Sequence, residues 1–484
     1  MLENLKPSKV WENFELLCSV PHGSGNTKAI SDLLVKFAND NGIEVYQDEL
    51  GNVIMTVPAT PGHENAEPVF MQAHMDMVCV KDDDLERDMA TEPIHLVVDG
   101  NFVKADRTSL GADDCIGCAI AMAVLTEKEL EHGLLQAVFT VDEETGMYGA
   151  YGLDMSKIMG RYMLNLDSEN EGTIICGCAG GVDIEINLPL KKEAPAADDV
   201  CYKLVVSGLL GGHSGEMITL GRANANRLLS RLIYGTSLKA VVKLAAFTGG
   251  KAPNAITDSA EATVYVSKDS AEDFERLAKK HQLLFRAEKG DVDPDITVSV
   301  EKATEKAEAV VSAADTKKAM RLLASVPDGL RKLFNNNPAI AETSSNLGIV
   351  RLTEEGITAN ILARSSADGG LDEIIELVKP MAEHDGATIK LNNPYPAWSF
   401  KEGSRFVDIA KEAWKELYNE EMKVSVTHGG VEGGIFSNGI KNLEGFCIGP
   451  FMHDIHSPRE SVEIASTEKV YDGVKLMIRK VAEA

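Results

Sequence analysis

Apolar residues along this chain fall into two rhythms. Over residues 1–180, helix-period stretches at Val10–Val20 and Thr27–Asn41 alternate with short unbroken apolar runs at Val69–His74, Leu134–Val141 and Tyr162–Leu166. Such runs, bounded by polar turns, read as strands buried on both faces, and their alternation with helices marks an α/β domain. Asn41-Gly42 is a helix-end signal, and Ile43–Val57 reads as a hairpin turning at Leu50-Gly-Asn52. Gly111–Leu125 reads as a loop feeding a helix, and Phe406–Tyr418 and Ser466–Val481 as later helices in the same style. The middle has another rhythm: strand, strand, helix, strand over Asn254–Val300, and again over Leu347–Leu391, each half preceded by a helix (Arg222–Tyr234 and Ala314–Ser325). Two copies of a split βαβ unit fit that repeat. The expected organisation is an α/β domain in two segments, 1–180 and 396–484, interrupted by an inserted α+β domain over 181–395.

Composition narrows the class. At 484 residues the chain is too long for one ordinary core, and 44% hydrophobic with 25% charged residues is a globular balance. A net charge of −27 repels nucleic acid and anionic membrane, so neither is an expected partner. The opening Met1-Leu-Glu-Asn-Leu-Lys-Pro lacks the apolar core of a signal peptide, so the expected location is cytoplasmic. The eight cysteines are then expected as thiols. Cys115-Ile-Gly-Cys118 has the spacing of a redox pair but opens an apolar stretch that reads as a buried helix.

Candidate chemistry gathers where the apolar runs end. His74-Met-Asp76, Asp113-Asp114, Asp142-Glu143-Glu144, Asp167-Ser-Glu169 and His456-Ser-Pro458 together offer two imidazoles and several carboxylates. Three of these clusters sit at strand ends, where open α/β sheets place their sites. Hydrolysis of an unactivated amide is served by two neighbouring metal ions, which need one bridging carboxylate and two terminal ligands each. His74, Asp113, Glu144, Asp167 and His456 meet that count. Imidazole and carboxylate donors suit two zinc ions per chain, with cobalt or manganese as substitutes. Asp76 is placed to accept the second ring N–H of His74. Of the adjacent Glu143 and Glu144, one can bind metal while the other serves as general base. His453 reads as a structural neighbour of His456.

These strings resemble the M20 family of dinuclear metallopeptidases, on its aminoacyl-histidine (Xaa-His) dipeptidase branch. The likeness runs over nearly the whole chain. It is carried by Met71-Gln-Ala-His-Met-Asp76, Ser109-Leu-Gly-Ala-Asp113, Asp142-Glu-Glu-Thr145, Asn165-Leu-Asp-Ser-Glu169, Gly211-Gly-His-Ser-Gly215, Gly221-Arg-Ala-Asn-Ala225, His428-Gly-Gly-Val-Glu432 and His456-Ser-Pro458. The resemblance implies a dinuclear-zinc exopeptidase-like α/β catalytic domain with an inserted lid. It implies that Asp113 bridges the ions, with His74 and Asp167 on one and Glu144 and His456 on the other. Glu143 would be the base, and the lid histidine His213 would contact the oxyanion. Asn254, Arg364, Glu432 and Gly433 lie in strings that resemble substrate-binding segments. Asp114 stands where relatives often carry asparagine, and Lys251-Ala-Pro-Asn254 replaces a usual Arg-Asn. The implied activity is hydrolysis of dipeptides with a free amino terminus, Xaa-His types included. The alternatives are an amidohydrolase of N-acyl amino acids and a non-catalytic metal-binding protein. The sequence leaves open a homodimer, and with it whether His213 serves its own chain or a partner.

Overall fold

The structure is a computed structural model and describes residues 2–304, 307–334, 337–367, 369–399 and 403–484. The chain divides into two compact units. One comprises 1–178, 398–426 and 431–484, the other 179–397 and 427–430.

The first unit is built on an eight-stranded sheet. Its order is Glu44–Gln47, Val53–Val57, Leu135–Thr140, Val69–His74, Tyr162–Asn165, Glu444–Cys447, Thr173–Cys178, Lys423–Thr427. The four strands from Leu135–Thr140 to Glu444–Cys447 are mutually parallel. His74 pairs with Thr140, Gln72 with Asn165 and Cys447 with Asn165, so their carboxyl ends reach one edge almost level. The Val69–His74 and Leu135–Thr140 strands are buried at every position, as their unbroken apolar runs require. The Ala112–Leu125 helix packs on both strands and is itself buried throughout. Helix Ser8–Leu17 covers it, and Asn13 Nδ2 donates to the Ala119 carbonyl at 3.2 Å. The late segment is joined to the early one by an aromatic stack: Phe406 lies parallel to Tyr162 at 4.6 Å and against Phe446 at 4.9 Å. Burying such a ring contributes about 1.5–3 kcal/mol. A second, four-stranded sheet runs Met452–His453, Ser461–Glu463, Phe102–Ala105, Leu96–Asp99. Its first two strands form the hairpin whose loop carries His456.

In the second unit one antiparallel sheet contains two copies of the same motif. The first copy is Val200–Ser207, helix Ala225–Ser237, Val242–Gly249, Ala260–Val266, helix Ala271–Lys289 and Thr297–Lys302. The second is Gly180–Pro189, helix Ala313–Ser325, Asn337–Leu352, Gly356–Ser365, helix Gly370–His384 and Thr388–Tyr395. In both, the fourth strand pairs the first, the first pairs the third and the third pairs the second. The two second strands then pair with each other through Thr248–Arg351 and Gly249–Val350. Each copy is thus a split βαβ unit, and the first is nested between the opening strand and first helix of the second. The repeat expected from sequence lacked both opening strands, because Val200–Ser207 and Gly180–Pro189 lie far upstream of the helices that mark the halves. It also included Ala255–Ile256, which pairs instead with Gly212–His213 in a short ribbon. None of the eight cysteines forms a disulfide. No helix among the described residues is long and apolar enough to cross a membrane.

Candidate metal centre and active site

The level strand ends collect the ligand candidates of the first unit. His74 is the last residue of its strand and is 1% exposed. Glu143 and Glu144 follow the Leu135–Thr140 strand through a turn in which Asp142 takes φ 55°. Asp113 opens the Ala112–Leu125 helix. Asp113 faces both histidines, one with each oxygen. Oδ1 is 3.2 Å from His74 Nε2, and Oδ2 is 3.2 Å from His456 Nε2. Glu144 Oε1 lies 2.8 Å from the same His456 nitrogen. Donor atoms of His74, Asp113 and Glu144 all fall within 4.8 Å of one another, a spacing that one cation can span. Asp167 is brought close enough for its charge to act on His74, and Asp113 and Glu144 act on Asp167 in turn.

The electrostatics of this cluster suit a cation. Hydrogen bonds to Asp113 and Glu144 push the His456 ring up to about 10. Burial alone would lower His74, yet the Asp113 and Asp76 carboxylates beside it hold it well above its usual value. Burial would raise Asp113 too, but the two imidazoles hold it far below the carboxylate range. Carboxyls without an imidazole partner go the other way. Burial, then the charge on Asp113, pushes Asp167 up to about 8, and burial also raises Glu143 well above 4.5. Protons stand where cations would relieve the same crowding.

Asp76 acts differently from expectation. His74 Nδ1 is 3.1 Å from the main-chain carbonyl of Asp76 and 3.6 Å from its carboxylate, so the carbonyl is the partner. A carbonyl only accepts, which puts a proton on Nδ1 and leaves Nε2 to face a metal. The Asp76 carboxylate accepts instead from Ser24 Oγ at 2.7 Å and from the backbone N–H groups of Glu143 and Glu144 at 3.0 and 3.3 Å. It ties the turn that carries both glutamates to the strand that carries His74.

Glu432, expected in a substrate-binding segment, is fully buried beneath this cluster. Its Oε2 accepts from Gln72 Nε2 at 2.5 Å and Thr140 Oγ1 at 2.7 Å, and burial pushes its carboxyl up to about 7. Gln72 in turn accepts from Asn165 Nδ2, and Asn165 Oδ1 accepts from the Asp167 N–H. This polar floor escaped the sequence reading, although Gln72 is a polar residue inside an apolar strand and could have been singled out. Gly433 packs on Trp398, where a Cβ would lie 2.5 Å from the ring. The ring of His453 stacks edge-on against Phe102, away from any ligand role.

The remaining candidates belong to the second unit. The Glu216 N–H donates to His213 Nδ1 at 3.4 Å, which places the neutral ring's proton on Nε2 as a donor. Asn254 is exposed, and its carbonyl accepts from the Ser214 N–H, beside the Gly212–His213 ribbon. Arg364 is 6% exposed, with Nη1 2.7 Å from Tyr395 Oη and 3.4 Å from the His428 carbonyl. Its buried Nε has no hydrogen-bond partner among the described residues. His428, missed as an individual residue, is held by Ser344 Oγ at 2.7 Å, and burial beside Arg364 lowers its ring to about 3. A Cβ on Gly215 would meet His213 at 2.9 Å and the His428 carbonyl at 3.4 Å, so these groups lie around one glycine.

Known proteins resemble this chain in sequence and fold. The chain is 35% identical to the cytosol non-specific dipeptidase of Escherichia coli K12 over 96% of each sequence. The crystal structure of aminoacylhistidine dipeptidase from Vibrio alginolyticus covers 99% of this chain and 98% of its own, at 34% identity and TM-score 0.89. The aminopeptidase PepT of Bacillus cereus shares the fold at TM-score 0.57 and 18% identity, over 99% of both chains. Residues 70–481 match the sequence profile of peptidase family M20/M25/M40, and the chain belongs to that family.

Proposed function

We propose that this protein is a metal-dependent dipeptidase holding two zinc ions, with cobalt or manganese able to replace them. The observation that carries the reading is Asp113, which presents one oxygen to each imidazole as a bridging carboxylate would. His74 and Asp167 would hold one ion, and Glu144 and His456 the other. Bound there, the ions would polarise the scissile carbonyl and lower the pKa of a water.

The chain's own groups supply the rest. Glu143 accepts the proton of the attacking water on its carboxylate and returns it to the leaving nitrogen. Its buried carboxyl, raised above the usual carboxylate value, suits a group that must both take and give a proton. Asp76 holds the ring of His74 and the turn bearing Glu143 in one geometry. From the second unit, His213 Nε2–H is the donor to the developing oxyanion. Arg364 receives the terminal carboxylate of the dipeptide, since a buried guanidinium with an unused N–H calls for an anion. Asn254 contributes to substrate binding beside His213. Substrates are dipeptides with a free amino terminus, Xaa-His types included, and the location is cytoplasmic, as the name of the Escherichia coli relative says of that protein.

Zinc-loaded and metal-stripped protein should be assayed against dipeptides, their C-terminal amides and N-acetyl amino acids. Dipeptides should be cleaved, amides poorly, and nothing without metal. Preference for N-acetyl amino acids would turn the reading to an amidohydrolase, and full activity in stripped protein would end it.

A further inference from the structure

Glu460 takes no part in the chemistry above, yet it makes an unusual set of contacts. It is 3% exposed and reaches into the turn that begins the Asp113 helix. Oε2 accepts from the N–H groups of Leu110 at 2.7 Å and Gly111 at 3.0 Å. Oε1 accepts from those of Ala112 at 2.8 Å and Asp113 at 3.3 Å. Four consecutive backbone donors converge on one carboxylate. They can do so because Gly111 takes φ 71°, which curls the backbone into a concave anion cradle. Any side chain at 111 would also strike Met77, whose sulfur lies 2.8 Å from the Cβ position. The helix has no capping side chain of its own, so Glu460 caps it from elsewhere in the chain.

What this clamp joins matters more than the cap. Glu460 closes the loop that carries His456, between the strands Met452–His453 and Ser461–Glu463. The side-chain hydrogen bonds of Ser457 in that loop are local: to the Asp454 carbonyl at 2.6 Å and from the Arg459 N–H at 3.1 Å. His456 itself has φ 56° and a side chain 44% exposed. Besides the direct contacts of its ring with Asp113 and Glu144, the loop that bears His456 is held from behind by a carboxylate four residues along that grips the Asp113 backbone.

We propose that Glu460 is a positioning residue of the metal centre. It fixes the span between Asp113 Oδ2 and His456 Nε2 before any cation binds. The proposal rests on reading Asp113 and His456 as ligands. Outer groups that orient ligands typically contribute about 10–100-fold in metal affinity.

Glu460→Gln keeps the shape but turns an NH2 toward two of the four N–H donors, so half the clamp becomes a donor–donor clash. Metal affinity is read by competition with a chromophoric chelator and by the visible spectrum of the Co2+-loaded protein, with folding followed by circular dichroism. The expected result is a folded variant whose affinity falls about 10–100-fold and whose Co2+ spectrum is altered, while Arg459→Ala in the same loop stays at wild-type affinity. A folded Glu460→Gln chain that binds two ions at wild-type affinity overturns the proposal, even if it melts lower. Fewer than two ions on the wild-type chain would instead sink the ligand reading itself. Should the variant not fold, hydrogen exchange on wild-type protein decides. The amides of Leu110, Gly111 and Ala112 should be protected in metal-stripped protein, and protection gained only on adding Zn2+ would overturn a clamp that precedes the metal.

Discussion

Stripping the metal and adding Zn2+ back at a series of pH values tests the centre without measuring turnover. In the metal-free chain His74 Nε2 and His456 Nε2 both face carboxylates, and both rings hold protons well above their usual range, His456 up to about 10. Asp167 keeps its proton up to about pH 8. To become ligands near pH 7, His456 and Asp167 must both deprotonate, and the raised His74 ring with them, so loading the centre should expel at least about two protons. The combined binding constant should then rise at least about a hundredfold per pH unit near pH 7, and about tenfold less steeply above pH 8, where Asp167 has already ionised. The metal-free chain itself should trend the other way. Asp167 and His456 are both raised above their ordinary values of 3.8 and 6.5, so the folded state holds protons that the unfolded state has released. Stability of the stripped protein therefore falls as pH rises from about 4 to about 10, while the gain in melting temperature on adding Zn2+ grows. Titration calorimetry in two buffers of different ionisation enthalpy counts the protons directly. Zinc binding without proton release between pH 6 and 8 would refute the claim that these imidazoles and Asp167 are the ligands.

Three further outcomes are open to test. Glu143→Gln should retain both ions and lose about 10²–10⁴-fold in rate, whereas Glu144→Gln should lose metal as well; metal analysis giving the reverse would exchange their roles. His213→Ala should lose about 10²–10³-fold in kcat with both ions in place; if mixing it with Glu143→Gln chains restores activity, His213 serves a partner chain in a homodimer. Gly117→Ala should destabilise by about 1–3 kcal/mol through overpacking, since its Cβ would lie 2.4 Å from Asp114 Oδ1 and 2.8 Å from Leu166; an unchanged melting temperature would show that Asp114 has room to move.

Much of the first unit could be read in order along the chain. Val69–His74 is a strand over the expected residues, and the helices at Lys28–Asp40, Arg405–Tyr418 and Ile464–Glu483 lie within two residues of expectation. Local period and burial coincide there, because a strand covered on both faces must be apolar throughout and a covered helix must be apolar along one stripe. The five ligand candidates were also visible, since strand ends and turns leave few structural reasons for clustered histidines and carboxylates.

Contacts that join distant segments carry no such periodic mark. Nothing in Arg459-Glu460-Ser461 announces a carboxylate that collects four N–H groups from residues 110–113. Glu432 looks like part of an open glycine-rich segment until Gln72 and Thr140 are seen to hold it inside. The Asp76 carboxylate proves to serve the Glu143–Glu144 turn, while its carbonyl serves His74. A candidate ligand is singled out by residue chemistry, which the sequence itself carries. The groups that aim those ligands are chosen by three-dimensional proximity, and any buried donor or acceptor within reach can fill the role, so only the tertiary structure decides which one does.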